Sequence, residues 1–195
     1  MGRPVDRELL TRSSTVVAPW LLNKLLIRDD GRAIRIVEVE AYGGSEDDAS
    51  HARNGPTARC GAMFGPAGHA YMYFTYGMHW CCNVVTGADG VGEAVLIRAG
   101  EPVSGLVEMQ ACRSRARREV DVTNGPAKLC EALSVDGSFD GVDLCVESSP
   151  LVLLDDGTPP PRTPACSGRI GITRSVEWPW RWFVADNPFV SNPPG

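Results

Sequence analysis

The segment AIRIVEVEAY, residues 33–42, narrows the possible folds more than any other part of the sequence. Its apolar and β-branched side chains predict a long strand. The turn signal Asp29–Asp30–Gly31 separates it from a shorter apolar run, LLIR. Two aromatic-rich runs, HAYMYFT and HWCCNVV, similarly flank Tyr76–Gly77–Met78. Strands that are joined by such short turns pair antiparallel, so the sequence predicts a largely antiparallel sheet.

Local signals predict the remaining elements. Residues 13–26 predict a serine-capped helix, residues 104–118 a second helix, and residues 124–133 a third, with Asn124 as its cap and Pro126 in its first turn. The further strand candidates are EAVLIRA, DLCVE, PLVLL, RIGIT and RWFVA. The predicted fold class is α+β, a single mixed domain with a curved, largely antiparallel sheet, flanking helices and a protruding β-hairpin.

The domain organisation follows from length and loop composition. The chain has 195 residues, which fits one domain spanning 1–195 with a peripheral segment at 1–14. Residues 43–68 are rich in Gly, Ala, Asp, Pro and Ser and are long for a connection without regular structure, which is typical of a functional loop. Residues 110–122 and 156–168 are expected to be mobile loops.

Charge and composition exclude several classes of protein. The 19 Lys and Arg against 24 Asp and Glu give a formal charge of −5, so the chain is not coated in positive potential. Its start, MGRPVDRELLTR, has charges where a signal peptide needs apolar residues, and we expect a cytoplasmic protein with no membrane partner. Seven cysteines without a C-x-x-C pair and three scattered histidines predict reduced thiols, no metal and no cofactor.

A carboxylate stands where the long predicted strand enters the glycine-rich loop. Glu40 ends that strand, with Tyr42 two residues on and His51 eleven residues on. A carboxylate at a strand end can be held rigidly and still be reached, as a general base requires. The alternative interpretation is an exposed glutamate without a role.

Three of the four tyrosines lie within six residues, in AYMYFTYGM. Tyr71 and Tyr73 share a strand face because side chains alternate with period two, although core packing would also explain Tyr71. Tyr76 is at the hairpin tip, where it suits a wedge between stacked bases. An odd number of loop residues would place Tyr73 and Asn83 on one face, and Gly77 would permit a three-residue loop.

Arginines supply seventeen of the nineteen cations. Arg98 ends EAVLIR and could reach a phosphate or hold a carboxylate, with a surface ion pair as the ordinary alternative. The densest cluster is Arg113, Arg115, Arg117 and Arg118, and further arginines follow at 162, 169, 174 and 181. The phosphate-binding candidates are Arg59, Arg113, Arg115 and Arg169.

Several strings, in this order and spacing, resemble the 3-methyladenine (alkyladenine) DNA glycosylases, which excise methylated purines in base-excision repair. They are VEVEAYGGSEDDASHA, TARCGAMFGPAGHAYMYFTYGMHWCCNVV, AVLIRAGEP and NGPAKLC, with a weaker similarity in GRIGITRSVEWPWRWFV and NPFVS. The resemblance covers residues 15–191. Two positions depart from the family pattern: Cys60, after Arg59, bears on a polar contact from that site, and Trp80–Cys81–Cys82 bears on the pocket volume and the range of lesions.

The resemblance implies a role for each matched position. Glu40 would deprotonate the attacking water, and Arg98 with the backbone of Ile170 would help to hold that water. Tyr76 would fill the gap left in the duplex, and the hairpin would enter the minor groove. Asn83 would crowd the exocyclic amine of normal guanine. The remaining pocket residues would be Tyr42, His51, Tyr71 and Tyr73.

The expected function is a monofunctional DNA glycosylase that flips alkylated purines, such as 3-methyladenine and 7-methylguanine, out of duplex DNA. Lys24 and Lys128, the only lysines, lie outside the pocket strings, so no Schiff base is expected. The partner would be double-stranded DNA with damaged purines, bound by a monomer near the bacterial nucleoid. One alternative is a non-catalytic protein that stacks bases on the tyrosine hairpin. Another is a metal-dependent hydrolase built on Glu38, Glu40, Asp47 and Asp48.

Overall fold

The sheet dominates the fold. A computed structural model describes residues 2–191, so Met1 and residues 192–195 of the predicted domain lie outside the described part. The strands in that part are β1 Arg3–Pro4, β2 Leu25–Arg28, β3 Ala33–Tyr42, β4 Ala70–Thr75, β5 His79–Thr86, β6 Glu93–Ser104, β7 Leu151–Asp155, β8 Ala165–Ser167 and β9 Arg181–Phe183. Every pairing between these strands is antiparallel, and the predicted α+β class is confirmed.

Helices pack against this sheet. They are α1 Arg7–Leu10, α2 Ser14–Leu21, α3 Leu106–Cys112 and α4 Pro126–Leu133, with 3-10 turns at Gly61–Phe64, Glu119–Asp121 and Gly137–Phe139. Helix α2 packs on β3 and β6, and α4 packs on β5 and β6. The buried side chains of α4 are Leu129, Cys130, Ala132 and Leu133, which form the apolar stripe of a helix whose other face is polar. None of the described helices is both long enough and apolar enough to span a bilayer.

The sheet branches at β3. The main order is β1-β7-β2-β3-β6-β5-β4, and β9, which carries β8, also pairs with β3. Strand β6 lies along one edge of β3, while β2 and then β9 share the other edge. The β3–β6 register shifts on both sides of Glu38, and such irregularities bend a strand and increase its twist. Both edges of β3 are therefore covered where its two glutamates lie.

The connection of the β4–β5 hairpin has an odd number of residues, one of the two cases that the sequence left open. Thr75 pairs with His79, which leaves three connecting residues. Tyr76 and Gly77 both have positive φ, +52° and +67°, so a tyrosine as well as the glycine takes the left-handed conformation. Tyr71 pairs with Asn83 and Tyr73 with Cys81, so these four side chains share one face.

All three predicted helices differ from the structure in a bound or a cap. The first ends at Leu21, because the following residues join the sheet as β2. The second ends at Cys112, since the next residues are mostly exposed and have no apolar face to pack. The third begins as predicted with Pro126, but Gly125 is its N-cap residue. Asn124 instead accepts a hydrogen bond from the Lys128 ammonium at 2.7 Å.

Two predicted strands are wrong, and two short strands, β1 and β8, were missed. DLCVE turns at Asp143, whose carboxylate accepts the Cys145 N–H, leaving only an isolated bridge to His69. RIGIT is an irregular loop, because Gly171 has a φ of +76° and the Ile170 N–H bonds to a side chain. Strand β8 begins within the predicted mobile segment 156–168.

Candidate active site

One face of the β4–β5 hairpin opens onto a cavity of about 610 Å³. Loop residues 48–53 and 170–174 close its sides, and the N-terminus of α4 contributes Pro126 and Ala127. The structure brings most of the predicted site residues together in its wall. These are Tyr42, His51, Tyr71, Tyr73, Tyr76, Asn83, Arg98 and Ile170.

Glu40 lies directly behind that wall, not on the surface. Its side chain has no exposed area, so the interpretation as an exposed strand-end glutamate is wrong. One carboxylate oxygen, Oε1, accepts the Ile170 N–H at 2.7 Å. The other, Oε2, accepts the Tyr42 hydroxyl at 2.9 Å and lies 3.2 Å from Arg98 Nη1. All three of these partners line the cavity.

The surroundings of Glu40 have opposing effects on its ionisation. Burial raises the pKa of its carboxyl group, because loss of water penalises the charged form. The positive charge of Arg98, the Ile170 N–H and the Tyr42 hydroxyl all act in the lowering direction. Burial, followed by the nearby Glu40 charge, raises the pKa of Tyr42 well above its ordinary value. Tyr42 is therefore a permanent hydrogen-bond donor to this carboxylate.

Glu38 anchors the arginine that reaches Glu40. Its fully buried carboxylate accepts Arg98 Nε at 2.9 Å and Arg181 Nε at 2.7 Å. The backbone N–H of Ser191 donates to its other oxygen at 2.6 Å. Arg98 therefore contacts both glutamates. Of the two roles that the sequence offered for it, this contact fits the holding of a carboxylate. The sequence placed Glu38 only in the metal hypothesis, although its period-two spacing from Glu40 indicated a shared face.

Aromatic rings form part of the cavity wall. His51 Nδ1 is 2.9 Å from the Tyr71 hydroxyl, and the His51 ring meets that of Tyr73 edge-on at 4.7 Å. Loss of hydration, with a smaller contribution from the charge of Arg59, lowers the pKa of His51. The imidazole is therefore neutral at neutral pH. Burial raises the pKa of both Tyr71 and Tyr73.

Asn83 and Cys81 line the inner part of the cavity on β5. The Asn83 amide nitrogen donates to the Tyr71 carbonyl oxygen at 2.9 Å, which fixes the orientation of that side chain. Cys81 shares a hydrogen bond with Tyr73, and burial raises the pKa of its thiol. The thiol is therefore protonated at neutral pH and acts as a small pocket-lining group.

The rim of the cavity carries the exposed hairpin. Tyr76 is 82% exposed, the largest exposed fraction among the large hydrophobic residues of the described part, and Met78 is 66% exposed. Phe74, beside them, packs on Trp80 with ring centroids 4.9 Å apart. Tyr76 is therefore free of the core and able to contact another molecule.

Two of the four candidate phosphate-binding arginines are exposed. Arg59 lies beside the hairpin, with its guanidinium 6.0 Å from the Tyr73 ring centroid. Arg115 is exposed after α3. Arg113 is instead held by an ion pair to Glu131 on α4.

The prediction for Arg169 is wrong in this structure. Its side chain has no exposed area and forms a two-pronged ion pair with Asp47, which is equally buried. A guanidinium held in this way cannot reach a phosphate. Arg181, from the same downstream series, is buried against Glu38. Arg174 of that series does line the cavity.

The donor set does not favour the metal-dependent alternative. Within residues 2–191, no three His, Cys, Asp or Glu side chains converge as metal ligands would. Arginines instead pair with Glu38, Glu40 and Asp47.

Comparison with known proteins gives one consistent result. A family model described as methylpurine-DNA glycosylase matches residues 8–188. A protein of Burkholderia lata is 51% identical over 98% of this chain and 93% of its own length. Relatives from Streptomyces avermitilis and Methanocella arvoryzae are 45% and 44% identical, each over 96% of this chain and over 91% and 95% of their own lengths. All three relatives bear the provisional name 3-methyladenine DNA glycosylase.

Proposed function

The chain belongs to the methylpurine-DNA glycosylase family, whose members are hydrolases of N-glycosyl bonds, and we propose that it excises alkylated purines from duplex DNA with a water that Glu40 activates. The proposed substrates are 3-methyladenine and 7-methylguanine, each flipped out of the helix into the cavity. The observation that carries the proposal is the position of Glu40, bonded to Tyr42, Ile170 and Arg98 at the cavity wall.

The proposed reaction is a hydrolysis. The water oxygen bonds to C1′ of the deoxyribose while the bond from C1′ to the purine nitrogen breaks. Glu40 takes a proton from the water, and the bonding electron pair leaves with the base. A methylated purine carries a positive charge, which this pair neutralises, so one positioned base with an effect of ~10²–10⁴-fold suffices.

The aromatic wall suits a cationic base. Tyr42 and Tyr73 line the cavity, and the face of an aromatic ring attracts a cation by ~0.5–2 kcal/mol. His51 has a lowered pKa and is neutral, so it does not repel the charged purine. A neutral lesion such as hypoxanthine gains less from this wall, and we expect slower release of it.

Tyr76 is the proposed wedge. Extruding a base costs a few kcal/mol of stacking and pairing. An aromatic ring that replaces the base in the stack returns ~1–3 kcal/mol. The 82% exposure of Tyr76 leaves its ring available for that exchange.

The proposed enzyme leaves an abasic site uncut. Lys24 is buried and paired with Asp155 at 3.0 Å, and the Lys128 ammonium is bonded to Asn124. Strand cleavage by a glycosylase usually proceeds through an amine–sugar Schiff base. Borohydride added during turnover is therefore expected to trap no covalent protein–DNA adduct, and a trapped adduct would overturn this part of the proposal.

The test of the proposed function is Glu40→Gln on duplexes that carry 7-methylguanine. The wild-type protein should release the base, and the variant should release it ~10²–10⁴-fold more slowly while binding the same duplex. A non-catalytic protein would release no base in either form. Equal release by both forms would exclude Glu40 as the general base.

A further inference from the structure

Asp47 and Arg169 form a buried ion pair that the proposed chemistry leaves without a role. Arg169 Nη1 lies 2.5 Å from Asp47 Oδ2, and Nη2 lies 2.8 Å from Oδ1. Both side chains have zero exposed area. Arg169 Nε has no hydrogen-bond partner among the described residues. Burial of such a pair is expensive, so stability alone is a weak reason for its presence.

The pair ties the two loops that close the cavity. Asp47 accepts the N–H groups of Gly43 and Ala49, which fixes the loop that leads to His51. Arg169 Nη1 also donates to the carbonyl oxygen of Ala41, at 2.9 Å, so the guanidinium is bonded to the end of β3.

Aromatic rings enclose the guanidinium. Its central carbon is 4.8 Å from the Tyr42 ring centroid and 5.2 Å from that of Trp180. Arg169 thus supports the ring whose hydroxyl donates to Glu40 Oε2. The next residue in the chain is Ile170, whose N–H donates to Glu40 Oε1.

We propose that Arg169, held by Asp47, is a positioning residue that fixes both hydrogen-bond donors of Glu40, the Tyr42 hydroxyl and the Ile170 N–H. A planar guanidinium can donate two hydrogen bonds to one carboxylate and stack on rings at the same time, which an ammonium cannot do. The inference concerns the geometry around Glu40, and its catalytic meaning rests on the proposed function.

The first measurement is the titration of Glu40 in the free protein, followed by the carboxyl ¹³C signal in wild type and Arg169→Lys. Loss of either donor removes an interaction that lowers the pKa of Glu40, so the midpoint should move to higher pH in the variant. The other charged and titratable groups around Glu40 are Arg98, Glu38, Tyr73 and Cys81, and the variant leaves them in place.

The matched control is Arg35→Lys. Arg35 also pairs with an aspartate, Asp156, at 2.7 Å and donates to a backbone carbonyl, that of Asn23, but these contacts lie away from the cavity. This control should leave the Glu40 midpoint where it is in the wild type. An unchanged midpoint in folded Arg169→Lys would overturn the proposal, as would an equal shift in both variants.

A second variant tests the same proposal if Arg169→Lys does not fold. Trp180→Leu removes one stacking ring from a half-buried position and keeps the ion pair. It should move the Glu40 midpoint in the same direction, and a wild-type midpoint in this variant would overturn the proposal.

A base-release assay distinguishes a failure of this proposal from a failure of the proposed function. Under single-turnover conditions Arg169→Lys should slow release by ~10²-fold, with little change in the duplex concentration for half-saturation, because misplacing a catalytic group by about 1 Å has effects of that size. A wild-type rate in this variant, with Glu40→Gln still inactive, would overturn the positioning role alone. An inactive wild type would overturn the proposed function, and the Glu40 titration would still decide the geometry.

Discussion

Asn83 and Tyr71 face each other across the β4–β5 register, and the Asn83 amide bonds the Tyr71 carbonyl oxygen at 2.9 Å. This bond holds a polar side chain rigidly against the inner cavity, where we propose that it excludes the exocyclic amine of normal guanine. Asn83→Ala should raise release of normal guanine, and of 7-methylguanine, which carries the same exocyclic amine, by about tenfold or more relative to release of 3-methyladenine. It should also cost ~1–3 kcal/mol of stability, because the buried Tyr71 carbonyl loses its side-chain partner. Base-release assays and thermal melts measure both effects, and unchanged selectivity would remove this role.

Neutralising Glu38 should mainly reduce stability, whereas neutralising Glu40 should mainly reduce base release. Glu38→Gln breaks ion pairs to Arg98 and Arg181 and should destabilise the fold by ~3–5 kcal/mol. Glu40→Gln removes a carboxyl group whose pKa burial raises, so stability at neutral pH should change much less while base release is lost. Denaturant unfolding of both variants beside the wild type provides the comparison. A larger stability loss for Glu40→Gln than for Glu38→Gln would contradict this division.

The raised pKa of Glu40 sets the acid limit of activity. Since a general base must be ionised, base release should fall as the pH drops through a midpoint above 4.5, the ordinary value for glutamate. The contribution of Glu40 to folding stability has the opposite pH dependence. A raised folded-state pKa favours the protonated form, so the contribution of Glu40 to stability decreases as the pH rises through that midpoint. A pH–rate profile that stays flat down to pH 4.5 would contradict the prediction.

Tyr76 should matter for DNA and not for folding. Because it is 82% exposed, Tyr76→Ala should leave the melting temperature unchanged. Loss of a stacking ring worth ~1–3 kcal/mol should weaken binding to lesion-containing duplex by ~5- to 150-fold. Val107→Ala is the control, since Val107 is 74% exposed on α3 and does not line the cavity. Equal affinities of the two variants would contradict the wedge.

Arg115 remains a predicted phosphate contact, and the salt dependence of DNA affinity can test this prediction. Arg115→Ala should lower the slope of log affinity against log salt by ~0.9, the value for one phosphate contact to a duplex. Arg118→Ala is the control, because Arg118 is paired with Asp121 at 2.7 Å. The assignment would fail if Arg115→Ala kept the wild-type slope.

Local patterns predicted the parts of the site that neighbouring residues build. Side chains alternate along a strand, and the three-residue connection after Thr75 fixes which of them share a face. The sequence therefore placed Tyr71 and Tyr73 on one strand face, whereas the face of Asn83 depended on the length of the connection, which the structure supplies. The end of the helix at Cys112 could not be predicted, because it depends on what the helix packs against.

Charged side chains show more clearly what local sequence patterns cannot predict. Arg169 and Arg115 look alike in sequence, yet one is buried against Asp47 and the other is exposed. Nothing within a few residues of Arg169 indicates a partner 122 residues away. The electrostatic partner of a long side chain is decided by which loops meet, and a local pattern does not contain that information.

Strand alternation and turn chemistry act over a few residues, so local patterns were enough to predict the antiparallel strands, the tyrosine hairpin and the position of Glu40 beside Tyr42. The complete burial of Glu40, and the hydrogen bond that its carboxylate accepts from the Ile170 N–H, 130 residues away, follow from the fold of the whole chain. Burial, and with it the pKa of a catalytic group, is a property of everything packed around that group. It arises when distant segments come together and exclude water.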